Sequence, residues 1–425
     1  MHTEPMRAPR VFYGWWIVAS FFLTLFLGAG IIATHSVFFK PISAEFGWSR
    51  TALSAVLSVN LLIGGLSAPF WGRLVDRRGS RAVVPIGVMI VGISLLLLSA
   101  MGTMWQAYLF YMVLAVGGGG MSIVPISSTL SQWFVRHRGL AIGVTLAGSG
   151  VGGLVMAPLA GLLLEAMGWR GGYQVYGLTF LLVAIPVLFL VLRHRPQDMG
   201  LLPDGDDAHE ASAEGDGGLL ADAVQAPALN LKAALKTRTF WLLAVGFMLP
   251  MFAGRALMMH LVPIMTDAKV SPGIAAAAFG VILGLSPVGK IAFGYAADRF
   301  SKRHIFALCY GLGALGMLCL VGLESIGPIA VGGFILIFGC SYGGGIALAP
   351  LLIGECFGTA AIGEIFGVLG LTAMLGGALG PIFAGWTYDT MASYQVAFIV
   401  FVAVQLLGVA AILRCRPAVA PPTAD

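Results

Sequence analysis

Two cations, Arg255 and Lys290, stand inside long apolar stretches of this chain, and no carboxylate lies at comparable depth. A charge at bilayer depth costs at least ~2.5–3.5 kcal/mol on insertion scales, so it ordinarily faces a cavity and serves a function. All 19 Asp and Glu fall in loops, tails or segment ends, and Asp76, Asp298, Glu355 and Glu364 come nearest to the apolar stretches. Fixed positive charge without fixed negative charge suits an anion. Tyrosines aside, His260 and His35 are the only other ionisable groups within these stretches. Histidine changes charge near neutral pH, so an anion arriving beside one of them would link substrate to proton. Asn60, Ser122, Ser286 and Tyr342 are the neutral candidates for substrate contacts. Each has a plainer reading too. Arg255, beside Gly254, could bond the free carbonyls of a broken helix; Lys290 could snorkel to a surface. The histidines could be neutral and hydrogen-bonded, and the small polar residues could be helix–helix glue.

The elements that must position these groups are apolar helices. The chain has 425 residues, 58% hydrophobic and 10% charged, with a mean hydropathy of +0.93. Its apolar runs of about 20 residues each suffice to cross ~30 Å of hydrocarbon as a helix. They are far too long for barrel strands. Spans are expected near 12–38, 51–72, 82–102, 105–133, 138–166, 171–192, 240–266, 273–296, 304–323, 327–354, 363–386 and 393–413. With the N-terminus inside, cytoplasmic stretches hold 18 of the 24 Lys and Arg, and the outer loops hold only Lys40, Arg50, Arg170 and Lys269. That is the positive-inside bias, and it places both termini in the cytoplasm. The basic balance therefore belongs to membrane topology, and nucleic acid is not an expected partner. The five cysteines show no metal spacing and read as packing residues. The glycine-rich stretches lack the lysine and strand context of a phosphate loop, so no cofactor is expected.

The chain repeats itself. GRLVDRRGSR from Gly72 returns as GYAADRFSKR from Gly294, 222 residues on; Pro158 of APLAG and Tyr173 of GYQVYG find counterparts at Pro381 and Tyr394, at offsets of 223 and 221. The expected fold is all-α integral membrane, twelve transmembrane helices in two pseudo-symmetric six-helix lobes. The divisions are a cytoplasmic tail (1–11), a first lobe (12–195), a linker (196–238), a second lobe (239–414) and a cytoplasmic tail (415–425). Eight acids and many Ala and Gly make the linker a solvated tether, with a short surface helix near 229–235. Subtracting the repeat offset from Arg255 and Lys290 gives Ala33 and Ala68, so the buried positive charge belongs to the second lobe alone.

GRLVDRRGSR resembles the loop 2–3 signature of the major facilitator superfamily, and its decayed copy strengthens the likeness. In such a loop Gly72, Asp76, Arg77 and Arg81, with Asp298 and Arg299 of the copy, would form a conformational latch. Asp76 can accept from the N-terminus of a neighbouring helix, and the arginines can hold acidic lipid or the opposite lobe. WFVRHRGLAIGVTLAGSGVG (133–152) looks like the fifth-span signature of the monocarboxylate porter family, and YGWWIV at Tyr13 resembles its first-span signature. HLVP…TD (260–267) and RPQDMGLLPDG after the sixth span are similar to bacterial members, which are related to the oxalate–formate exchanger. The resemblance implies alternating-access transport of small carboxylates, proton-linked or by exchange. Lys290 stands where the family usually has a carboxylate-pairing arginine, and lysine keeps the charge without the bidentate fork. Ser286 stands where animal lactate carriers have an aspartate, and Ala33 where the family has a lysine. The exchanger's second cation, in the eleventh span, is also missing: GVLGLTAMLGG is neutral.

No catalytic constellation gathers at one depth, so an enzyme is not expected. Two further readings stay open within transport: an anion exchanger of the oxalate–formate type, and a polyspecific drug efflux pump. A receptor or sensor would need a soluble domain that the linker cannot supply. The expected partners are a small carboxylate, protons and the lipid bilayer of a bacterial inner membrane, and the expected form is a monomer.

Overall fold

The computed structural model describes residues 12–134, 137–193, 195–205, 229–321, 328–358 and 362–416. The expected tail 1–11, positions 206–228 of the linker and 417–425 of the last tail lie outside the described residues. The described chain is helical, with no strand. The helices are α1 (Gly14–Val37), α2 (Phe39–Phe46), α3 (Arg50–Arg78), α4 (Ser80–Ser99), α5 (Met104–Gly120), α6 (Ile123–Trp133), α7 (Arg138–Thr179), α8 (Ile185–Val191), α9 (Leu231–Ala234), α10 (Arg238–Asp267), α11 (Pro272–Arg299), α12 (Lys302–Val321), α13 (Pro328–Phe357), α14 (Ile362–Met391) and α15 (Gln395–Leu413).

Side chains outside the apolar runs set several helix starts. Ser49 accepts from Ala52 N at the head of α3, Thr237 from Phe240 N at the head of α10, and Ser271 precedes Pro272 at the first position of α11. Thr103 and Gln106 form a reciprocal capping box on α5. Each satisfies a backbone donor that the first turn leaves free. Ten described helices are long and apolar enough to cross a membrane, and a bent pair, Val331–Gly345 with Leu348–Phe357, makes an eleventh. One of the ten runs from Leu140 to Val191, 52 residues. Straight, it would be about 78 Å long, more than twice the hydrocarbon thickness. Gly168 breaks it at φ 71°, ψ 176°, a conformation a side chain disfavours. The segment is therefore a hairpin of two spans, and the total is the expected twelve.

Helices α1–α8 form the first lobe and α10–α15 the second. The repeat is visible in the helix limits: α3 and α11 start 222 residues apart, and so do α4 and α12. Between α3 and α4 the chain turns at Gly79, φ 78°, another position that favours glycine. Two features depart from the expected spans. The first span ends at Val37, and the short helix α2 follows at its end. The fourth is broken at Met121–Ser122 into α5 and α6. The short helix expected near 229–235 is α9, capped by Asn230.

Tyr13 donates to Val191 O, and Thr239 to Arg416 O, both at 2.8 Å, so each lobe begins and ends on the side away from the contact between Arg50 and Asp267 of opposite lobes, here called proximal. The lobes meet along α3 with α14, α7 with α11, and α1 with α10. Missing side chains allow the approach. A Cβ on Gly153 would strike Leu283, and one on Gly150 would strike Pro287; a Cβ on Gly65 would strike the end of Met374. On α3 these crossings run from Arg50 at the distal end to Gly65 near mid-helix.

Candidate functional site

Two cavities adjoin at the lobe boundary, and Leu61 and Arg255 line both. The larger, about 470 Å³, lies mainly against the first lobe and includes His35, Asn60, Ser122 and Ser149 in its wall. The smaller, about 230 Å³, lies mainly against the second lobe and is walled by Phe247, Met251, Phe366, Leu369, Ala373 and Met374, among others. Arg255 reaches this place from the middle of α10. Its Cγ packs against Gly377 of α14, where an added Cβ would stand 3.2 Å from it and 3.3 Å from Leu61 Cδ2. Among the described residues, Arg255 has no hydrogen-bond or ion-pair partner. It does not cap carbonyls beside Gly254.

The larger chamber holds more unspent polarity. His35 Nε2 and Ser122 Oγ are buried without a hydrogen-bond partner. The break between α5 and α6 puts Ser122 at the head of α6, where its side chain makes no cap. The His35 ring stands edge-on to Tyr111, with centroids 5.6 Å apart. Asn60 Nδ2 donates to Tyr111 O at 2.7 Å, and Ser149 Oγ to Leu146 O at 2.8 Å. Buried polar atoms are almost always paired, so a cation and two orphaned atoms around one cavity describe a place prepared for a polar guest.

The remaining expected residues lie elsewhere. Ser286 packs at the crossing of α11 and α13, where a Cβ on Gly343 would meet its carbonyl and its Oγ. Tyr342 lines a space of about 20 Å³ with Gly254 and Gln405, on the second-lobe side. Lys290 is half-buried and is in the wall of neither large cavity. It falls one turn beyond Pro287 on the α11 stripe that crosses α7, and it has no hydrogen-bond or ion-pair partner among the described residues. Of the latch residues, Arg77 and Arg81 are exposed, and the Arg299 guanidinium lies 4.2 Å from the centre of the Tyr295 ring. The surroundings of Gly72 and the side chains of Asp76 and Asp298 lie outside the described residues.

His260, expected among the substrate and proton-coupling residues, lines neither chamber. It is fully buried in a network that closes the distal end. Nε2 lies 2.9 Å from Ser54 Oγ and 3.1 Å from Pro381 O, and Nδ1 lies 2.9 Å from Tyr394 OH. A carbonyl only accepts, so Nε2 carries the hydrogen, and Nδ1 accepts from the tyrosine. Arg50 Nη1 donates to that same tyrosine oxygen at 2.5 Å and pairs with Asp267 Oδ2 at 2.8 Å. Lys40 Nζ meets the other oxygen of Asp267 at 2.6 Å. The Arg50 guanidinium also lies 3.4 Å from the centre of the Tyr388 ring. Asp389 accepts from Arg50 N, Thr51 N and Thr51 Oγ1. Lys40, Arg50, Thr51 and Ser54 belong to the first lobe and the others to the second, so the distal end is clamped. Below the clamp Ser58 Oγ donates to Ala378 O at 2.6 Å.

Beside the clamp, Glu45 of α2 pairs with Arg170 and accepts from Trp169 Nε1 at 2.7 Å. Those two donors hold its carboxyl below the usual glutamate range. This pair tethers α2 to the hairpin at Gly168 and stays within the first lobe.

Sequence reasoning missed the clamp. The available signal was that Lys40 and Arg50 stand against the positive-inside bias, while Asp267 and Asp389 end helices of the opposite half.

The Major Facilitator Superfamily model matches residues 21–381 and again 256–425. Monocarboxylate transporter 12 of Rattus norvegicus is 26% identical over 409 residues, 91% of this chain and 82% of its own. The MFS-type transporter YcxA of Bacillus subtilis is 25% identical over 423 residues, 95% of each chain. Among solved structures, the D-xylose-proton symporter superposes with a TM-score of 0.70 at 14% identity, covering 95% of this chain and 98% of its own. A bacterial homologue of the lysosomal transporter Spinster gives 0.68 at 17% identity, covering 97% and 95%. These two show the fold. The likeness to monocarboxylate porters read from the fifth-span motif reappears in the relatives. By its sequence match and its two-lobed helical fold, the chain belongs to the Major Facilitator Superfamily and is a multi-pass membrane transporter, not an enzyme.

Proposed function

We propose that the protein carries a small organic anion, a monocarboxylate, across a bacterial inner membrane by alternating access, as a monomer with both termini in the cytoplasm. The Arg255 side chain, without a hydrogen-bond or ion-pair partner among the described residues and lining both chambers, carries this reading. A cation in a largely apolar enclosure needs a counter-charge, and the substrate supplies it. Relatives named monocarboxylate transporters support the choice of carboxylate. His35, Asn60 and Ser122 contribute hydrogen bonds to the substrate, Lys290 a second positive charge along α11, and Ser286 and Tyr342 the packing behind the site. Gly72, Asp76, Arg77, Arg81, Asp298 and Arg299 form the latch at the cytoplasmic end. With the termini inside, the distal clamp faces outward and the arrangement is closed to the outside.

Proton coupling runs through the clamp. A proton taken up at His260 Nδ1 turns that atom from acceptor to donor. The oxygen of Tyr394 then faces two donors, His260 and Arg50, and its own hydrogen loses its acceptor. The link between lobes weakens, and external acid favours opening outward. His35, inside the substrate chamber, is the second carrier.

The test is binding of mono- and dicarboxylates to the purified protein by calorimetry. Replacing Arg255 by Gln removes one charge-assisted pair, worth roughly 1.5–3 kcal/mol, so affinity for a bound monocarboxylate should fall about 10- to 150-fold. Unchanged affinity in Arg255→Gln would overturn the assignment.

A further inference from the structure

The two chambers that share Arg255 differ in chemistry. His35 Nε2 and Ser122 Oγ are unpartnered on one side. On the other side Phe247, Met251, Phe366 and Leu369 form a wall of hydrocarbon and thioether. Between them stands Met374, whose methyl group lies over Gly65 of the opposite lobe in the space a Cβ would occupy. Methionine is flexible and fills irregular gaps, so it makes a yielding partition. This second chamber, of about 230 Å³, opens on the same cation.

We infer that the transported acid is amphipathic: its carboxylate pairs with Arg255, its polar substituents enter the first-lobe chamber, and an apolar tail the size of an aryl group fills the second-lobe chamber past Met374. An apolar cavity of about 150 Å³ accepts benzene, so a phenyl ring fits here with room to spare. Each methylene buried multiplies affinity by about fourfold, and tail length becomes the main determinant of selectivity. The inference rests on the anion reading of Arg255 and adds what the rest of the substrate must be.

The experiment compares propionate with 3-phenylpropionate binding to the intact purified protein by calorimetry, then repeats it in Ala373→Phe and Ala349→Phe, which put a ring into the tail chamber. The aryl acid should bind at least tenfold more tightly than propionate in the unaltered protein. That ratio should fall tenfold or more in either variant that retains the helical content of the parent. Equal affinities in the unaltered protein, or a ratio unmoved by both variants, would overturn the tail chamber while leaving carboxylate transport standing. Arg255→Gln separates the two ideas: it should weaken both acids alike. Binding of neither acid to the unaltered protein would remove the anion reading and this inference with it.

Discussion

Asp389, near the end of α14, accepts the backbone N–H of Arg50 at 3.0 Å, so a carboxylate of one lobe caps the first turn of a helix in the other. It takes Thr51 N as well, at 2.8 Å. A carboxylate at a helix N-terminus is favoured by the free donors there and by the positive end of the helix dipole. Asp267 answers the side chain of the same arginine. Arg50 is thus held by its backbone and by its guanidinium, both by the opposite lobe.

Asp267→Asn removes the countercharge of Lys40 and Arg50 together. Lys40 is 43% exposed and Asp267 24%, so solvent screens the pairs and each is worth roughly 0.2–1 kcal/mol. We expect the ratio of distal-closed to distal-open forms to fall about two- to thirtyfold for a combined loss of about 0.4–2 kcal/mol. The check is alkylation of Ala378→Cys, just below the clamp, by an impermeant maleimide in a background lacking the five native cysteines. A rate unaltered by Asp267→Asn would show that the ion pairs do not hold this end shut.

His260→Gln keeps a hydrogen-bonding side chain but cannot take up a proton. Under the proposed coupling it should flatten the pH dependence of transport and uncouple accumulation from an imposed pH gradient. Uptake of a labelled carboxylate into proteoliposomes measures both. Gradient-driven accumulation at the parental level would make His260 a structural residue, and coupling would pass to His35 or give way to anion exchange.

Lys290→Ala should reduce uptake strongly while leaving folding and insertion intact, and Lys290→Arg should keep substantial activity. A charge-assisted contact is worth roughly 1.5–3 kcal/mol, about a 10- to 150-fold change. Its place on the stripe facing α7, rather than in a chamber wall, favours an effect on rate over one on equilibrium binding. Equal loss in both variants would assign the residue to packing.

Gly377→Ala separates stability from function. Alanine is the better helix former by about 1 kcal/mol, so the helix should not suffer. The new methyl group would stand 3.2 Å from Arg255 Cγ and 3.3 Å from Leu61 Cδ2, which pushes the guanidinium out of place. Carboxylate affinity should drop about tenfold for a displaced charge-assisted contact with thermal stability held. Titration calorimetry and a melting curve on one sample decide it.

The twelve spans were legible because each is a long apolar run, and the two lobes because Gly72, Pro158 and Tyr173 recur at nearly one offset. The depth of Arg255 followed from its distance to the segment ends. Its neighbours did not: Gly377 and Leu61 come from other helices 122 and 194 residues away. The clamp was hidden for the same reason. Arg50 and Asp389 are 339 residues apart, and a charge at a segment end reads as solvated until its partner is known. The interruption at Met121–Ser122 carries no proline inside the break, and so Ser122 looked like any small residue in a span. The sequence puts His260 inside an apolar stretch but does not say which neighbours its ring meets.

Arg255 sits against Gly377, one turn from the place where Met374 crosses Gly65, and that position has an electrical consequence. A pair of bodies rocking about such a fulcrum sweeps its ends widely and its middle hardly at all. Under the proposed alternating access the guanidinium would therefore travel little through the membrane field, where each elementary charge is worth about 2.3 kcal/mol per 100 mV. Arg255 then contributes little gating charge of its own. A monoanion moving together with one proton leaves no current, whereas an unaccompanied anion would be driven or opposed by the full voltage.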